Sequence, residues 1–288
     1  MRRTETEEPL PIGKEAASGG RSPVSAKTEK RNDLVIRLLS AAVLIPFALL
    51  VVWAGGWPLA VGAAVFAVVM GYEWSAMAQL KHRWRLMSAL ALANLTVPLV
   101  GVLAGFLVLT AAAIALFASA HRKGWIVAFG VAYAGGMPLA LQALRMGPWD
   151  GQSAALILMG IVWASDSAAY FAGRGFGGPS LSPDSPNKTW SGAVGAVFCC
   201  ILCGLIAAGL LKGSLAAWMV TGAAISIIAQ GGDLLESSIK RRFGVKDASD
   251  FVPGHGGVMD RVDGLGAVCV IGGLIFAVSP GLVLFLGL

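Results

Sequence analysis

The chain has 288 residues, of which 56% are hydrophobic and only 13% are charged. Soluble globular domains carry about 25% charged residues, so this composition excludes an ordinary soluble enzyme and favours a lipid-embedded protein. The net charge of +6 does not indicate a nucleic-acid partner, because the basic residues lie in short loops between apolar runs rather than on one polar face.

The first segment, residues 1–33, is rich in Glu, Lys, Arg, Ser, Pro and Gly and holds almost no large apolar residue. Such a segment buries too little apolar surface to balance the entropy lost on ordering, so we expect a disordered N-terminal tail. Residues 34–288 are expected to form one transmembrane domain.

Apolar runs of about 20 residues then recur along the chain, and each is long enough to span a bilayer. The predicted spans are 34–54, 58–79, 86–102, 104–120, 125–145, 152–173, 190–211, 214–236 and 262–287. With a cytoplasmic N-terminus, 20 of the 22 Lys and Arg residues lie on the cytoplasmic side, Arg37 being counted with the tail. Because cytoplasmic loops carry an excess of Lys and Arg, the sequence predicts an all-α, polytopic bundle of about nine transmembrane helices with its N-terminus in the cytoplasm.

Acidic residues within apolar spans are costly and therefore mark candidate functional sites. Glu73 lies near the cytoplasmic end of the second span, where we interpret it as a side chain that reaches the interface. Asp166, late in the sixth span, precedes Tyr170 by one helical turn, so both project from one face towards the next loop. That face is a candidate site, although Asp166 could instead serve only to pair with Arg174.

The loop before the seventh span contains Lys188, close to the predicted helix start at Trp190. Backbone N–H groups at a helix N-terminus, together with a lysine, can bind an anion. The alternative is a lysine that only extends its ammonium group to the membrane interface.

The end of the eighth span carries Asp233, Glu236, Ser237 and Lys240 on one helical stripe. Two carboxylates, a hydroxyl and an ammonium group at the cytoplasmic end could hold a metal ion and a phosphate together. A simple ion pair between Glu236 and Lys240 is the alternative, but it does not account for Asp233.

Residues 246–263 form the densest polar cluster. Glycines 254, 256 and 257 permit a tight turn with exposed amides, which suits phosphate oxygens. Asp260 and Asp263 lie three residues apart at the start of the last span, and acidic groups in oxygen-only surroundings suit Mg²⁺. The single His255 is poor support for a zinc site. Basic residues that would neutralise phosphates flank the cluster: Lys240, Arg241, Lys246 and Arg261.

The run from Ser237 to Asp263 resembles the signature of the phosphatidate cytidylyltransferases, or CDP-diacylglycerol synthases. It reads S-x-I-K-R-x-x-x-x-K-D, a short spacer, and then P-x-H-G-G-x-x-D-R-x-D. The matching positions are Ser237, Lys240, Arg241, Lys246, Asp247, Pro253, His255, Gly256, Gly257, Asp260, Arg261 and Asp263. The segments that begin at Asp166 and Ser185 are similar to the family's D-x-x-A-Y-x-x-G-R and S-P-x-K-T-x-x-G motifs. Four positions depart from the usual family residues, namely Asn187, Ser191, Ala248 and Gly264.

The resemblance implies an enzyme of phospholipid synthesis that transfers CMP from CTP to phosphatidate in the bilayer, giving CDP-diacylglycerol and pyrophosphate. It further implies a homodimer in the cell (inner or plasma) membrane, with a cytoplasm-facing site in the C-terminal half, residues 160–265. The expected cofactor is Mg²⁺, with a second metal or a monovalent cation such as K⁺, at Asp233, Asp260 and Asp263.

On this interpretation the catalytic residues are Asp260, Asp263, Asp233, Lys240 and His255. The substrate-binding residues are Lys188, Ser237, Arg241, Lys246, Asp247, Gly256, Gly257, Arg261, Asp166 and Tyr170. The same chemistry on a different lipid phosphate is one alternative. An ion-coupled transporter is another, although its acidic residues would lie near the membrane midplane rather than on one side.

Overall fold

The computed structural model describes residues 40, 42–81, 83–120, 123–147, 151–211, 213–249, 251 and 256–278, so the predicted tail, residues 1–33, lies outside the described residues. The helices in these ranges are α1 (Ala42–Ala54), α2 (Gly56–Met77), α3 (Arg83–Val100), α4 (Val102–Ser119), α5 (Gly124–Arg145), α6 (Gly151–Phe176), α7 (Trp190–Leu211), α8 (Leu215–Arg242) and α9 (Asp263–Val278). Six of them, α2 and α4 to α8, are long and apolar enough to cross a membrane. The chain is therefore a mostly helical, multi-pass membrane protein. Nine crossings and a cytoplasmic N-terminus stay predictions.

Helix α8 is the longest of these helices, with 28 residues. At 1.5 Å per residue it is about 42 Å long, whereas the hydrocarbon core of a bilayer is about 30 Å thick. The predicted span ended at residue 236, but the helix continues for two more turns to Arg242. Charged residues ended the apolar run without ending the helix, because Lys and Arg in a last turn interact favourably with the helix dipole.

A small antiparallel hairpin between α6 and α7 departs from the all-α prediction. Strand β1 (Ser180–Ser182) pairs with β2 (Ser185–Thr189), with Ser180 opposite Thr189 and Ser182 opposite Ser185. At its turn, the Asp184 carboxylate accepts a hydrogen bond of 2.5 Å from the Ser238 hydroxyl of α8. The hairpin is thereby attached to the end of α8.

The helices pack in two groups that α9 connects. Helices α2 to α5 pack on one another, α6 and α8 both pack on α7, and α9 packs on both α5 and α8. Close approach of α6 and α7 depends on Gly192, where a Cβ atom would lie 2.7 Å from the Ala169 carbonyl oxygen. The first residue of α9, Asp263, is close enough to interact electrostatically with Tyr133 of α5 and Asp233 of α8, so it lies where the two groups meet.

Basic residues at the two ends of α5 cap neighbouring helices. The Lys123 ammonium donates to the carbonyls of Ala78 and Gln79, at the C-terminal end of α2, at 2.9 and 3.2 Å. The Arg145 guanidinium donates to the carbonyl of Val52, near the end of α1, at 2.9 Å. These side chains satisfy carbonyls that a helix end leaves without partners.

A neutral polar pair is buried between α3 and α5. The Gln142 amide donates to the Asn94 side-chain oxygen at 2.8 Å, and the Asn94 amide donates to the Leu90 carbonyl at 2.9 Å. Both side chains are buried, at 2% and 0% exposure. The pair is hydrogen-bonded internally, as a polar group in an apolar bundle must be.

Candidate active site

A cavity of about 890 Å³ opens between α6, the hairpin, α7, α8 and the start of α9. Seven of the residues predicted for the site line it: Asp166, Tyr170, Lys188, Asp233, Asp260, Arg261 and Asp263. These residues come from segments almost 100 positions apart, and the fold brings them together. The lining also includes Arg174, Asn187, Thr189 and Gln230, none of which was among the predicted site residues.

An ion pair lies at one wall of the cavity. Strand β2 places the Lys188 ammonium against the Asp233 carboxylate, and the two side chains are 30% and 32% exposed. The carboxylates of Asp166 and Asp263 are close enough to interact electrostatically with Asp233. The Asp263 carboxylate also accepts a hydrogen bond of 2.8 Å from the Gly264 amide. Three carboxylates thus lie near one another at the cavity, and the Lys188 ammonium is paired with one of them.

Lys240 is held between two carboxylates at the end of α8. Its ammonium lies 2.7 Å from Asp260 Oδ1 and 3.3 Å from Glu236 Oε1. Glu236, with 1% of its side chain exposed, also accepts a hydrogen bond of 3.3 Å from the Tyr133 hydroxyl of α5. The simple Glu236–Lys240 pair is therefore present, but it forms part of a larger network that includes Asp260.

Asp260 lies in a short 3₁₀ turn, Met259–Arg261, that precedes α9. Its Oδ2 accepts hydrogen bonds from the backbone amides of Gly257 at 2.9 Å and Ala248 at 3.0 Å. Burial alone would raise the pKa of this carboxyl group, but the hydrogen bond from Lys240, those from the two amides and the Lys240 charge lower it below its usual value. Asp260 is therefore a stable carboxylate that connects the loop before it to α8.

Two glycines shape the loop around Asp260. Gly256 has φ +80°, a conformation that other residues adopt only with strain. At Gly257 a Cβ atom would lie 2.9 Å from the Ala248 methyl carbon. The Gly257 amide donates to Asp260 within the loop, and its predicted contact with a phosphate stays a prediction.

Several predicted residues lie outside the lining of this cavity. Ser237 is half-buried, whereas Arg241, Lys246 and Asp247 are exposed. Arg241 donates to the Val245 carbonyl at 3.3 Å, which closes the turn after α8. The predicted catalytic residue His255 lies outside the described residues.

Four residues differ from the usual family residues, and the contacts that the structure shows for them leave the site side chains in place. Ala248 and Gly264 contribute backbone amides, to Asp260 and Asp263 respectively, and any residue other than proline can do so. The Ser191 hydroxyl donates to the Gly177 carbonyl just before the hairpin. Asn187 lines the cavity next to Lys188.

Sequence reasoning missed two polar residues near the site. Glu73 does not reach the interface, because it is fully buried and accepts hydrogen bonds from residues 249, 258 and 259. The charge of Glu73 inside an apolar span indicates that the side chain needs buried hydrogen-bond partners. Those partners could not be identified from the sequence, because they lie about 180 residues later. Gln230 lies one turn before Asp233, so extending the α8 stripe by one turn would have included it.

Carboxylates are the residues here that could hold a metal ion. Asp233 and Asp263 lie side by side at the cavity, and two carboxylates with water and phosphate oxygens suit Mg²⁺. Both oxygens of Asp260 already accept hydrogen bonds. Among the described residues, no group of three or more His, Cys, Asp and Glu side chains is arranged to hold a metal. The donor chemistry therefore fits Mg²⁺ at the Asp233–Asp263 pair, and participation of Asp260 stays a prediction.

Comparison with known proteins agrees with the family resemblance that the motifs indicate. The family model described as "Cytidylyltransferase family" matches residues 35–279. Phosphatidate cytidylyltransferases of Brucella suis and Brucella abortus are each 37% identical over 270 residues, which cover 85% of this chain and 95% of theirs. The phosphatidate cytidylyltransferase of Haemophilus influenzae is 38% identical over 141 residues, 46% of this chain and 49% of its own. Since the match extends over most of the chain, and residues of all three motifs line one cavity, the chain belongs to the cytidylyltransferase family.

Proposed function

We propose that this protein transfers CMP from CTP to phosphatidate and forms CDP-diacylglycerol and pyrophosphate. The observation that carries the proposal is the near full-length similarity to phosphatidate cytidylyltransferases, together with a cavity lined by residues of three family motifs, among them Asp166, Lys188 and Asp260. A cavity of about 890 Å³ is at the upper end of the usual range for ligand sites, which suits a nucleoside triphosphate and a lipid headgroup.

The reaction needs alignment and charge neutralisation more than proton transfer. The phosphate of phosphatidate attacks the α-phosphorus of CTP in line, one P–O bond forms, and the bond to the β-phosphate breaks to release pyrophosphate. A phosphate monoester is already an anionic nucleophile at neutral pH, so no strong general base is required. The protein's task is to bring two anions together in the reacting geometry.

The basic residues of the cavity supply part of the required charge. Lys188, Arg174 and Arg261 line the cavity, where they are placed to bind phosphate oxygens. Lys240 is held by Asp260 and Glu236, so it orients the turn that carries Arg261. Four aspartates line the same cavity, and they would repel a triphosphate unless a cation were present.

This charge balance supports Mg²⁺ as the cofactor. Asp233 and Asp263 would hold it, with Asp166 close enough to contribute to the field at Asp233. When bound, Mg²⁺ supplies a Lewis acid that neutralises phosphate charge and orients the substrate. The exposed Lys246 and Arg241 lie outside the cavity lining, where they would attract anionic substrates from solution rather than contact the reacting atoms.

The cytoplasmic orientation of the site and a homodimeric assembly are part of the proposal. The basic ends of the helices support the orientation, since Lys240, Arg241 and Arg242 end α8 on the side of the cavity. Labelling of a single cysteine introduced near Lys246 with a membrane-impermeant reagent, in whole cells and in inverted vesicles, tests the orientation. Cross-linking in native membranes tests the dimer.

Pyrophosphate release by the purified protein tests the activity directly. The assay contains CTP, Mg²⁺ and dioleoyl phosphatidate, and each is omitted in turn. We expect release only when all three are present, with CDP-diacylglycerol as the lipid product. Release with a different lipid phosphate but not with phosphatidate would keep the chemistry and change the substrate. No release with any lipid phosphate, from folded protein, would contradict the proposal.

A further inference from the structure

A buried carboxylate from the first half of the chain contacts the loop that carries the motif of the second half. Glu73 lies in α2 with 0% of its surface exposed, and its partners are about 180 residues later in the sequence. A buried carboxylate destabilises a protein unless its oxygens are hydrogen-bonded. Glu73 is therefore kept in place by the contacts that it makes.

Both carboxylate oxygens of Glu73 accept hydrogen bonds from this loop. Oε1 accepts from the Ser249 hydroxyl at 2.6 Å and from the Val258 amide at 2.8 Å. Oε2 accepts from the Met259 amide at 2.8 Å. The Ser249 hydroxyl in turn accepts from the Phe251 amide at 3.1 Å. A single side chain thus binds the loop at both of its ends.

The two amides that Glu73 accepts from begin the 3₁₀ turn Met259–Arg261. The first amides of a helical turn lack partners within the turn, and an anion there is favoured by the aligned peptide dipoles. The turn presents Asp260 and Arg261 to the cavity, and Asp263 follows at the start of α9. The position of these three residues therefore depends on a contact that lies outside the cavity.

Glu73 and Asp260 accept hydrogen bonds from neighbouring residues of the same loop. Asp260 accepts from the amides of Ala248 and Gly257, while Glu73 accepts from Ser249 and Val258, which directly follow them in the sequence, and from Met259. At Gly257 a Cβ atom would lie 3.0 Å from Glu73 Oε1, so this carboxylate packs directly against the loop backbone. Neither contact can shift without moving the other.

We propose that Glu73 is a positioning residue for the reaction, which holds the Met259–Arg261 turn in its reactive geometry through its hydrogen bonds to the Val258 and Met259 amides and the Ser249 hydroxyl. Glu73 itself does not line the cavity, so it acts through the turn. The assignment of an effect on turnover rests on the proposed function, whereas the effect on the loop does not.

The main test is Glu73→Gln, which keeps the size of the side chain but replaces one carboxylate oxygen with an NH₂ group. A hydrogen-bond donor would then face the donating amide of Val258 or Met259. We expect kcat to fall about 100-fold, the size of effect that a misplacement of about 1 Å can cause, while KM for CTP changes less than about threefold. Hydrogen exchange followed by mass spectrometry should show at least about tenfold faster exchange in peptides that contain residues 256–262, with the other helices unchanged.

A matched control removes a buried hydrogen bond elsewhere in the bundle. Gln142→Leu breaks the contact with Asn94 between α3 and α5, away from the loop. It should lower thermal stability to a similar degree but leave the exchange of residues 256–262 and the turnover of folded protein as in the wild type. If Gln142→Leu and Glu73→Gln lowered turnover equally at equal stability, Glu73 would be only structural and the proposal would be wrong.

A milder variant covers the case in which Glu73→Gln does not fold. Ser249→Ala removes one of the three donors, and we expect a three- to tenfold lower kcat with a smaller rise in exchange at residues 256–262. Unchanged exchange in this variant, or in a folded Glu73→Gln, would overturn the proposal. A wild-type protein without CTP-dependent pyrophosphate release would contradict the proposed function, and the exchange measurements would still decide whether Glu73 holds the loop.

Discussion

Polar side chains interrupt the apolar bundle in two regions, and their surroundings differ. Between α3 and α5, neutral Gln142 and Asn94 are buried and hydrogen-bonded to each other. At the cavity, Lys188 and Asp233 are charged, and each is about one-third exposed. A neutral pair with internal partners contributes to stability, whereas a partly exposed ion pair that lines a cavity can exchange its internal contact for one with a ligand. Burial and partners, rather than polarity alone, thus distinguish the two regions.

The largest effect should come from the carboxylates at the cavity. Asp263→Asn keeps the shape of the side chain but removes the charge that would hold a cation beside Asp233. We expect pyrophosphate release to fall at least about 10³-fold, because the group acts where phosphate charge must be neutralised.

The control for this prediction is Asp184→Asn in the hairpin. Asp184 is also a hydrogen-bonded carboxylate of the second half, but it does not line the cavity. Its effect should stay within about tenfold. Equal losses of pyrophosphate release in the two variants would mean that removing any carboxylate charge from the second half of the chain disturbs the fold. The cavity would then not differ from other polar regions of the protein.

A smaller effect is expected at Lys188. Lys188→Ala leaves Asp233 without its ammonium partner and removes a cation from the cavity. We expect kcat/KM for CTP to fall about 100-fold, with partial recovery in Lys188→Arg, since arginine keeps the charge but differs in shape. Steady-state kinetics at varied CTP concentration measures both variants. Equal activity of the alanine and arginine variants would show that the charge at this position is not used.

The smallest effect on turnover is expected in the neutral pair. Gln142→Leu should lower the free energy of unfolding by about 1–3 kcal/mol, because the Asn94 oxygen loses its donor in a buried site. Turnover of folded protein at a temperature well below the melting transition should stay within about twofold of wild type. Thermal unfolding in detergent, with activity measured on the same samples, checks both expectations. A large loss of turnover in a stable variant would extend the functional region into α3 and α5.

The sequence predicted the helices well because each requires only a local run of apolar residues. It also predicted seven of the residues that line the cavity, because Asp166, Lys188, Asp260 and Asp263 belong to short motifs with fixed spacing and Asp233 lies on a polar helical stripe. It did not predict the hairpin, whose strands of three and five residues have too little pattern to be recognised. The partners of Glu73 were out of reach as well, because they depend on how two distant halves of the chain pack.

Helix α8 is longer than the hydrocarbon layer requires, and its cavity residues, Gln230 and Asp233, lie in its C-terminal half. A lipid can then present its phosphate to the site without leaving the leaflet, while CTP arrives from water. The lipid therefore reaches the enzyme within the plane of the membrane, whereas CTP reaches it from the volume of the solvent. Encounter with the lipid is governed by lateral diffusion and by its mole fraction in the bilayer, whereas encounter with the nucleotide is governed by its bulk concentration. Dilution of phosphatidate with an inert lipid should slow the enzyme even when the amount of phosphatidate in the tube is unchanged.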